Sequence, residues 1–181
     1  MPSWSQVARR VRVPLGFAFA ALYVWLANPT LTSLLGGAWI VLPGLLLRAL
    51  ASGHVKKNEV LTTTGPYGYT RNPLYLGSLV LAIGFAVASR SWIISAILVA
   101  LFFFIYLPVI RSEEDFLRRQ FPKFDEYASN VPRLFPRLTS YRSGSGSFSF
   151  ELYRKHREYN AALGTAALIA ILIVKLVLTS R

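Results

Sequence analysis

Cysteine is absent from the 181-residue sequence, and histidine occurs only at His54 and His156. The absence of cysteine excludes disulfides, thiolate nucleophiles and cysteine-based metal sites. Two histidines are too few for a histidine-rich metal centre, so we assign no metal-binding residues. Acidic residues are also scarce, with 8 Asp+Glu against 20 Lys+Arg and a formal charge of +12.

A soluble protein with this much positive charge would suggest a nucleic-acid partner. Here 54% of the residues are hydrophobic, the mean hydropathy is +0.44, and the apolar residues form long runs. We therefore expect no nucleic-acid partner, and we interpret the basic residues as determinants of membrane topology.

Five apolar runs dominate the chain, and each is nearly free of charge. They are residues 13–29, 30–47, 73–89, 91–110 and 161–174, the last extended past Lys175 to 178. A membrane-spanning helix needs about 17–25 residues, and inside lipid the backbone must satisfy its own hydrogen bonds. The sequence predicts a single domain over residues 1–181, an all-α integral membrane protein of about five transmembrane helices.

The polar segments indicate how these helices cross the membrane. Short turns at 28–30 and 89–91 leave three long polar segments, 1–12, 48–72 and 111–160, on one side. That side holds 17 of the 20 Lys+Arg. The distribution predicts a multi-pass protein whose N-terminus and polar loops are cytosolic and whose C-terminus is outside.

The last polar segment is predicted to contain three different parts. Residues 111–121 continue the fourth helix into solvent. Residues 139–149 are rich in Gly and Ser, which is typical of a mobile linker. Residues 150–160 predict a basic helix at the membrane surface, ahead of the last span at 161–178. The linker and the surface helix together are a candidate lid over a substrate site.

Residues 65–77, with the sequence GPYGYTRNPLYLG, form the first cluster that could carry chemistry. Gly and Pro predict a turn, and Asn72 followed by Pro73 predicts the start of a helix. Such a helix end suits a carboxylate, and the rings of Tyr67 and Tyr75 could face a flat ring or a cation. The alternative is a structured turn with aromatic anchors at the membrane interface.

The second cluster is the acidic run Glu113, Glu114 and Asp115 at the inner end of the fourth helix. One interpretation is a solvated helix face that pairs with Arg118 and Arg119 at helical spacing. The other is a carboxylate directed at a cation in the crevice between membrane helices.

The two clusters together resemble the isoprenylcysteine carboxyl methyltransferase family, in a wider group with phospholipid N-methyltransferases. The resemblance covers residues 45–137. Its second part is the Glu113-Glu114 pair followed by Leu117, Phe121, Tyr127, Val131-Pro132 and Pro136. It implies methyl transfer from S-adenosyl-L-methionine, a membrane core of five or more helices, and a cytosolic-face cofactor pocket built from loops and helix extensions.

The resemblance also implies roles for individual residues. Glu113 is expected to hold the ammonium group of the methyl donor, with Glu114 as the second candidate. The other expected cofactor-binding residues are Leu61, Thr62, Gly65, Tyr67, Asn72, Pro73, Leu74 and Tyr75. The chemistry of the step suggests further roles: Arg71 or Arg111 could orient a carboxylate acceptor, which needs no base, whereas an amine acceptor must lose a proton and makes Glu114 or Asp115 the candidate base.

The leading functional hypothesis is methyl transfer to the carboxylate of a lipophilic, prenylcysteine-like substrate that enters from the bilayer. The arginine that contacts prenylcysteine in eukaryotic members aligns near Val109, which does not favour prenylcysteine itself. Three alternatives stay open: phosphatidylethanolamine N-methylation, a sterol or ene reductase that uses NADPH, and a non-catalytic protein that binds membrane lipids.

Overall fold

The computed structural model describes residues 4–56, 59–141 and 146–179, with positions 4–6, 8, 9, 12 and 13 described by backbone only. Eight α-helices occur in these stretches, and no strand does. They are α1 Trp4–Leu26, α2 Leu31–His54, α3 Pro73–Ser89, α4 Trp92–Leu101, α5 Leu107–Gln120, α6 Phe124–Asn130, α7 Phe150–Lys155 and α8 Tyr159–Thr179. A 3-10 turn covers Gly65–Gly68, and the π-helical turn Phe102–Tyr106 joins α4 to α5 without a break.

Several of these helices are apolar enough to cross a membrane. Three helices are long and apolar enough to span a membrane, namely Leu31–His54, Trp92–Gln120 and Tyr159–Thr179. Two shorter apolar helices are Pro14–Leu26 and Pro73–Ser89. Large apolar side chains lie on the outer surface, including Trp25 and Trp39, which are 76% and 77% exposed. In an integral membrane protein, lipid covers such side chains. The predicted all-α architecture with about five spans is confirmed.

Most helix limits follow from local sequence. Thr30 and Ser33 form a reciprocal capping box at the start of α2. Pro73 occupies the first turn of α3, and the helix ends at Arg90 in the left-handed conformation with a φ of 52°. The bounds of α3 are those predicted, and the fourth helix continues to Gln120, one residue short of the predicted end at 121.

Helices α2 and α3 pack antiparallel through glycines. A Cβ on Gly37 would lie 2.6 Å from the carbonyl oxygen of Gly84 and 2.8 Å from the Cβ of Ala88. One heptad further along α2, a Cβ on Gly44 would lie 3.0 Å from the carbonyl oxygen of Gly77. Small residues at such a seam let two membrane helices approach closely.

We expect Gly37→Ala to destabilise the protein although alanine is the better helix former. The added methyl must displace the α3 backbone, and overpacking of this kind costs about 1–3 kcal/mol. The matched control is Gly36→Ala, whose Cβ would make an ordinary contact 3.8 Å from Val87 and should gain up to about 1 kcal/mol of helix propensity. In thermal unfolding in detergent, the midpoint temperature should fall for Gly37→Ala and should not fall for Gly36→Ala. Equal midpoints for the two variants would contradict a tight seam.

Contacts at one end of the bundle show which helix ends lie together. The amide of Asn28 donates to the carbonyl of Ser89 at 2.8 Å, which joins the two short turns. Lys175 of α8 donates to the carbonyls of Val24 and Trp25 at 2.7 and 2.9 Å and so caps α1. The C-terminal part of α8 therefore lies at the same end as both turns.

The opposite end of the bundle carries the polar segments. Residues 131–141 run back over the turn at 65–77, with backbone hydrogen bonds Arg71 to Pro132, Arg137 to Tyr69 and Tyr141 to Gly68 at 2.9–3.0 Å. Buried Phe124, Tyr127 and Val131 form a small core beneath this crossing. The crossing fixes the two polar segments against each other.

The segment before α8 differs in detail from the prediction. The helix predicted for 150–160 ends at Lys155, and a turn separates it from α8, which begins at Tyr159. Residues 142–145 of the predicted linker lie outside the described residues. The following segment is held against α2, because Ser149 donates to the carbonyl of Gly53 at 2.9 Å and Glu158 pairs with Arg48 at 2.6 Å.

Candidate active site

The first turn of α3 meets the acidic pair of α5 at the polar end of the bundle. The side-chain amide of Asn72 donates to Glu114 Oε1 at 2.9 Å. The Tyr75 hydroxyl donates to Glu113 Oε1 at 3.0 Å. The structure thus brings the two sequence clusters into direct contact. Asn72 occupies the N-cap position, but its side chain makes no capping hydrogen bond.

Glu114 is the most buried acid of the site, with its residue 3% exposed. Its carboxylate pairs with two guanidinium groups: Arg71 Nε lies 3.1 Å from Oε1, and Arg133 Nε lies 2.9 Å from Oε2. Arg71 also donates through Nη1 to the carbonyl of Ala128 at 2.8 Å. A buried charge requires such partners, because burial without them is strongly unfavourable.

The backbone of Arg133 is fixed by the other segment. The Thr70 hydroxyl lies 3.2 Å from the carbonyl oxygen of Arg133 and 3.0 Å from that of Leu134. The amide of Asn72 donates to the same Arg133 carbonyl at 3.0 Å. Two residues of the predicted motif, Thr70 and Asn72, therefore position a residue more than sixty positions later in the chain.

Two tyrosines lie beside this network. The Tyr127 hydroxyl donates to the carbonyl of Tyr67 at 2.7 Å. Burial raises the pKa of both phenols well above the usual range, and the nearby acids Glu113 and Glu158 contribute for Tyr67. Raising the pKa of a phenol favours its neutral form, so both hydroxyls keep their protons at physiological pH.

The loop that contains Leu61 and Thr62 also reaches the site. Leu61 lines a cavity of about 350 Å³ together with Phe121, Tyr127 and Tyr141. Thr62, which follows it, is half-buried. Aromatic and apolar side chains of this kind are typical of small-molecule sites.

The remaining predicted residues take different positions. Gly65 has a φ of +57°, and a Cβ there would meet the ring of His54, so this turn requires glycine. Pro73 begins α3, and the carbonyl of Leu74 accepts from Arg48 Nη1 at 3.4 Å. The side chain of Arg111 is exposed on α5.

A larger cavity of about 620 Å³ lies between α1, α3, α4 and the π-helical turn. Its lining is mainly apolar, with Tyr75 and Ser78 toward the polar end. The rings of Tyr75 and Tyr106, both in the lining, meet edge to face with centroids 6.1 Å apart. Exposed lining residues such as Leu15 and Phe103 show that the cavity opens on the apolar outer surface of the helices.

Several polar residues near the site were not predicted from the sequence. Arg133 follows the Val131-Pro132 pair, so its place in that motif was a signal that could have found it. Arg48 closes the second apolar run, and a charge there needs a partner, which the structure shows to be Glu158 and the hydroxyl of Ser78.

A bundle of apolar helices with a buried network of carboxylates and arginines at one end defines an integral membrane protein with a polar site of the kind enzymes use. Residues 13–123 match the family described as phospholipid methyltransferase. The chain belongs to that family.

Two curated relatives are similar to the chain. The nickel-cobalt-cadmium resistance protein NccN of Alcaligenes xylosoxydans xylosoxydans is 40% identical over 121 residues, which cover 67% of this chain and 56% of NccN. The cobalt-zinc-cadmium resistance protein CzcN of Cupriavidus metallidurans is 37% identical over 143 residues, which cover 74% of this chain and 65% of CzcN. The chain thus spans less than two thirds of either relative. No solved structure matches it significantly.

Proposed function

We propose that the chain transfers a methyl group from S-adenosyl-L-methionine to the carboxylate of a lipophilic acceptor drawn from the bilayer. One observation carries this proposal: Tyr75 lines the cavity that opens between the helices and also hydrogen-bonds to Glu113. A single side chain therefore links a lipid-accessible cavity to the acid expected to hold the methyl donor.

The residues present fit such a donor. S-adenosyl-L-methionine, when bound, supplies a methyl group on a positively charged sulfur. Glu113 is half-buried and accepts a hydrogen bond from a neutral hydroxyl, so its negative charge would attract the ammonium of the donor. The rings of Tyr67 and Tyr75 can stabilise a cation. The apolar surroundings would exclude water, which favours a step in which opposite charges neutralise each other.

The network around Glu114 favours an acceptor that is already ionised. The carboxylate oxygens of Glu114 are engaged by Arg71, Asn72 and Arg133. These contacts occupy both carboxylate oxygens, so Glu114 is poorly placed to take a proton from an amine. We propose that Glu114 and Arg71 hold the two polar segments in position, and that an acceptor carboxylate, which is already ionised, would need no general base.

The family description favours a second candidate, N-methylation of a phospholipid such as phosphatidylethanolamine. The products separate the two acceptor classes. A methyl ester releases its labelled methyl as volatile methanol in mild base, whereas an N-methyl group stays bonded to the headgroup nitrogen and is not volatile. Label that gives no methanol and stays on the headgroup nitrogen would replace the carboxyl proposal with the second candidate.

Binding of S-adenosylhomocysteine tests the proposed enzyme class. We expect the purified protein in detergent to bind it in calorimetry and not to bind NADPH. Glu113→Gln should weaken binding by about 10–100-fold, since a hydrogen bond to a charged group contributes about 1.5–3 kcal/mol. The matched control is Asp115→Asn, which changes an exposed neighbour with the same loss of charge. Unchanged affinity in Glu113→Gln would remove Glu113 from the site, and binding of NADPH instead would overturn the methyltransferase proposal.

We also propose that the polar end faces the cytosol, because it carries most of the Lys and Arg. From the names of the two relatives we further propose that this chain takes part in metal resistance. Disruption of its gene should then lower growth of the host in cobalt or cadmium, and the chain carrying Glu113→Gln should fail to restore it. Full restoration by that variant would separate metal resistance from methyl transfer.

A further inference from the structure

Among the described side chains, positive charge exceeds negative charge around Glu114, and negative charge is in excess at Glu113. Two guanidinium groups, those of Arg71 and Arg133, share the single carboxylate of Glu114. On the other side, Glu113 accepts from the neutral hydroxyl of Tyr75. Counted over the side chains that the structure describes, the site thus offers one surplus positive charge next to one surplus negative charge, which complements the zwitterion of an α-amino acid.

The two arginines differ in the contacts that their nitrogens make. Arg71 Nη1 donates to the carbonyl of Ala128, and Nε and Nη2 lie 3.1 and 3.5 Å from the carboxylate of Glu114, although Nε is buried and makes no well-directed hydrogen bond. Its side chain is only 11% exposed. Arg71 is therefore a structural partner with little capacity for a ligand.

Arg133 contacts Glu114 through Nε, and its side chain is 41% exposed. A guanidinium is a planar fork with five N–H donors, so the edge formed by its two terminal nitrogens can still bind a carboxylate with two parallel hydrogen bonds. The backbone of Arg133 is held by Thr70 and Asn72, and its Nε by Glu114, so the side chain has a defined direction.

We propose that Arg133 binds the carboxylate of the amino-acid end of the methyl donor, while Glu113 binds the ammonium of the same end. This assignment rests on the proposed function. It makes Arg133 a cofactor-binding residue, and it makes Glu114 the residue that orients Arg133.

Three ligands test the assignment by calorimetry on the full chain in detergent. S-adenosylhomocysteine has the complete amino-acid end, its decarboxylated analogue keeps only the ammonium, and 5′-methylthioadenosine has neither group. The unmodified protein should prefer S-adenosylhomocysteine to the decarboxylated analogue by about 10–100-fold. Arg133→Gln should abolish this preference and leave the affinity for 5′-methylthioadenosine unchanged.

The matched control is Arg137→Gln, an arginine of the same segment that donates to the carbonyl of Asn130 and should keep the full preference. Arg133→Lys retains the charge and should keep part of the preference, which provides a second measurement if Arg133→Gln does not fold. Equal weakening of all three ligands by Arg133→Gln would overturn the assignment, as would loss of the preference in Arg111→Gln instead. Failure of the unmodified protein to bind any of the three would refute the proposed function itself.

Discussion

Replacing Glu114 by alanine is expected to lower the free energy of unfolding by about 3 kcal/mol. The substitution removes the shared partner of Arg71 and Arg133 and leaves a guanidinium charge in a site where Arg71 is 11% exposed. Most of the cost falls on Arg71, because Arg133 is 41% exposed and can turn toward water. We therefore expect a loss of unfolding free energy at the low end of the range for breaking a buried ion pair. Denaturant titration in mixed micelles would measure it.

Asp115→Ala is the matched control for this prediction. Asp115 is the next residue along α5, but it is 59% exposed and its partner Arg118 is 46% exposed. Solvent screens such a pair, so the control should change stability little. The double variant Glu114→Leu with Arg71→Met should recover part of the loss, since it removes the isolated charge as well. Equal stability of Glu114→Ala and Asp115→Ala would show that the network does not hold the polar end together.

The limits of helix α3 could be predicted because they depend on neighbouring residues. Pro73 fixes the first turn, and the Ser89-Arg90 turn ends the helix with a left-handed residue. The continuation of the fourth helix to Gln120 was predictable for a similar reason, since the residues after 110 are good helix formers with opposite charges at helical spacing. These helix limits are therefore determined by the residues next to them in the sequence.

Charge made other helix limits hard to predict. Arginines at positions 9, 10 and 12 exclude the first residues from an apolar run, yet α1 begins at Trp4, because arginine is a good helix former outside lipid. Helix α2 likewise continues past Arg48 to His54. The ion pair with Glu158, 110 positions away, compensates the charge of Arg48. Such a partner cannot be recognised from the residues around Arg48.

In the candidate site, as in the helix limits, some features follow from motifs in the sequence and others depend on residues far apart in the chain. The meeting of Asn72 and Tyr75 with the acidic pair was predicted through the paired motifs, and the structure places them in contact. Helical spacing suggested that the acids pair with Arg118 and Arg119, and Asp115 does pair with Arg118. The partners of Glu114 were not predictable, because it pairs with the distant Arg71 and Arg133. That choice depends on the crossing of residues 131–141 over 65–77, which is a tertiary feature.

Ala82→Phe is expected to reduce methyl transfer to a long-chain acid by about 100-fold while leaving the binding of S-adenosylhomocysteine unchanged. Ala82 lines the large cavity and lies seven residues beyond Tyr75 on α3, a distance of about 10 Å along the helix. A phenyl group there would block the inner part of the cavity. Displacing about four methylene groups of an acceptor costs about 3 kcal/mol, which corresponds to about 100-fold in kcat/KM.

Chain length separates blocking of the cavity from a general loss of activity. An acceptor whose chain ends within about 10 Å of Tyr75 should not reach residue 82, so Ala82→Phe should methylate it at nearly the rate of the unmodified protein. Ala100→Phe, at an exposed position of α4, adds the same ring outside the cavity lining and should change neither rate. Equal losses for long and short acceptors in Ala82→Phe would point to disturbed helix packing. Full activity on the long acceptor would place its chain elsewhere, so that Tyr75 would no longer connect the lipid-accessible cavity with methyl transfer.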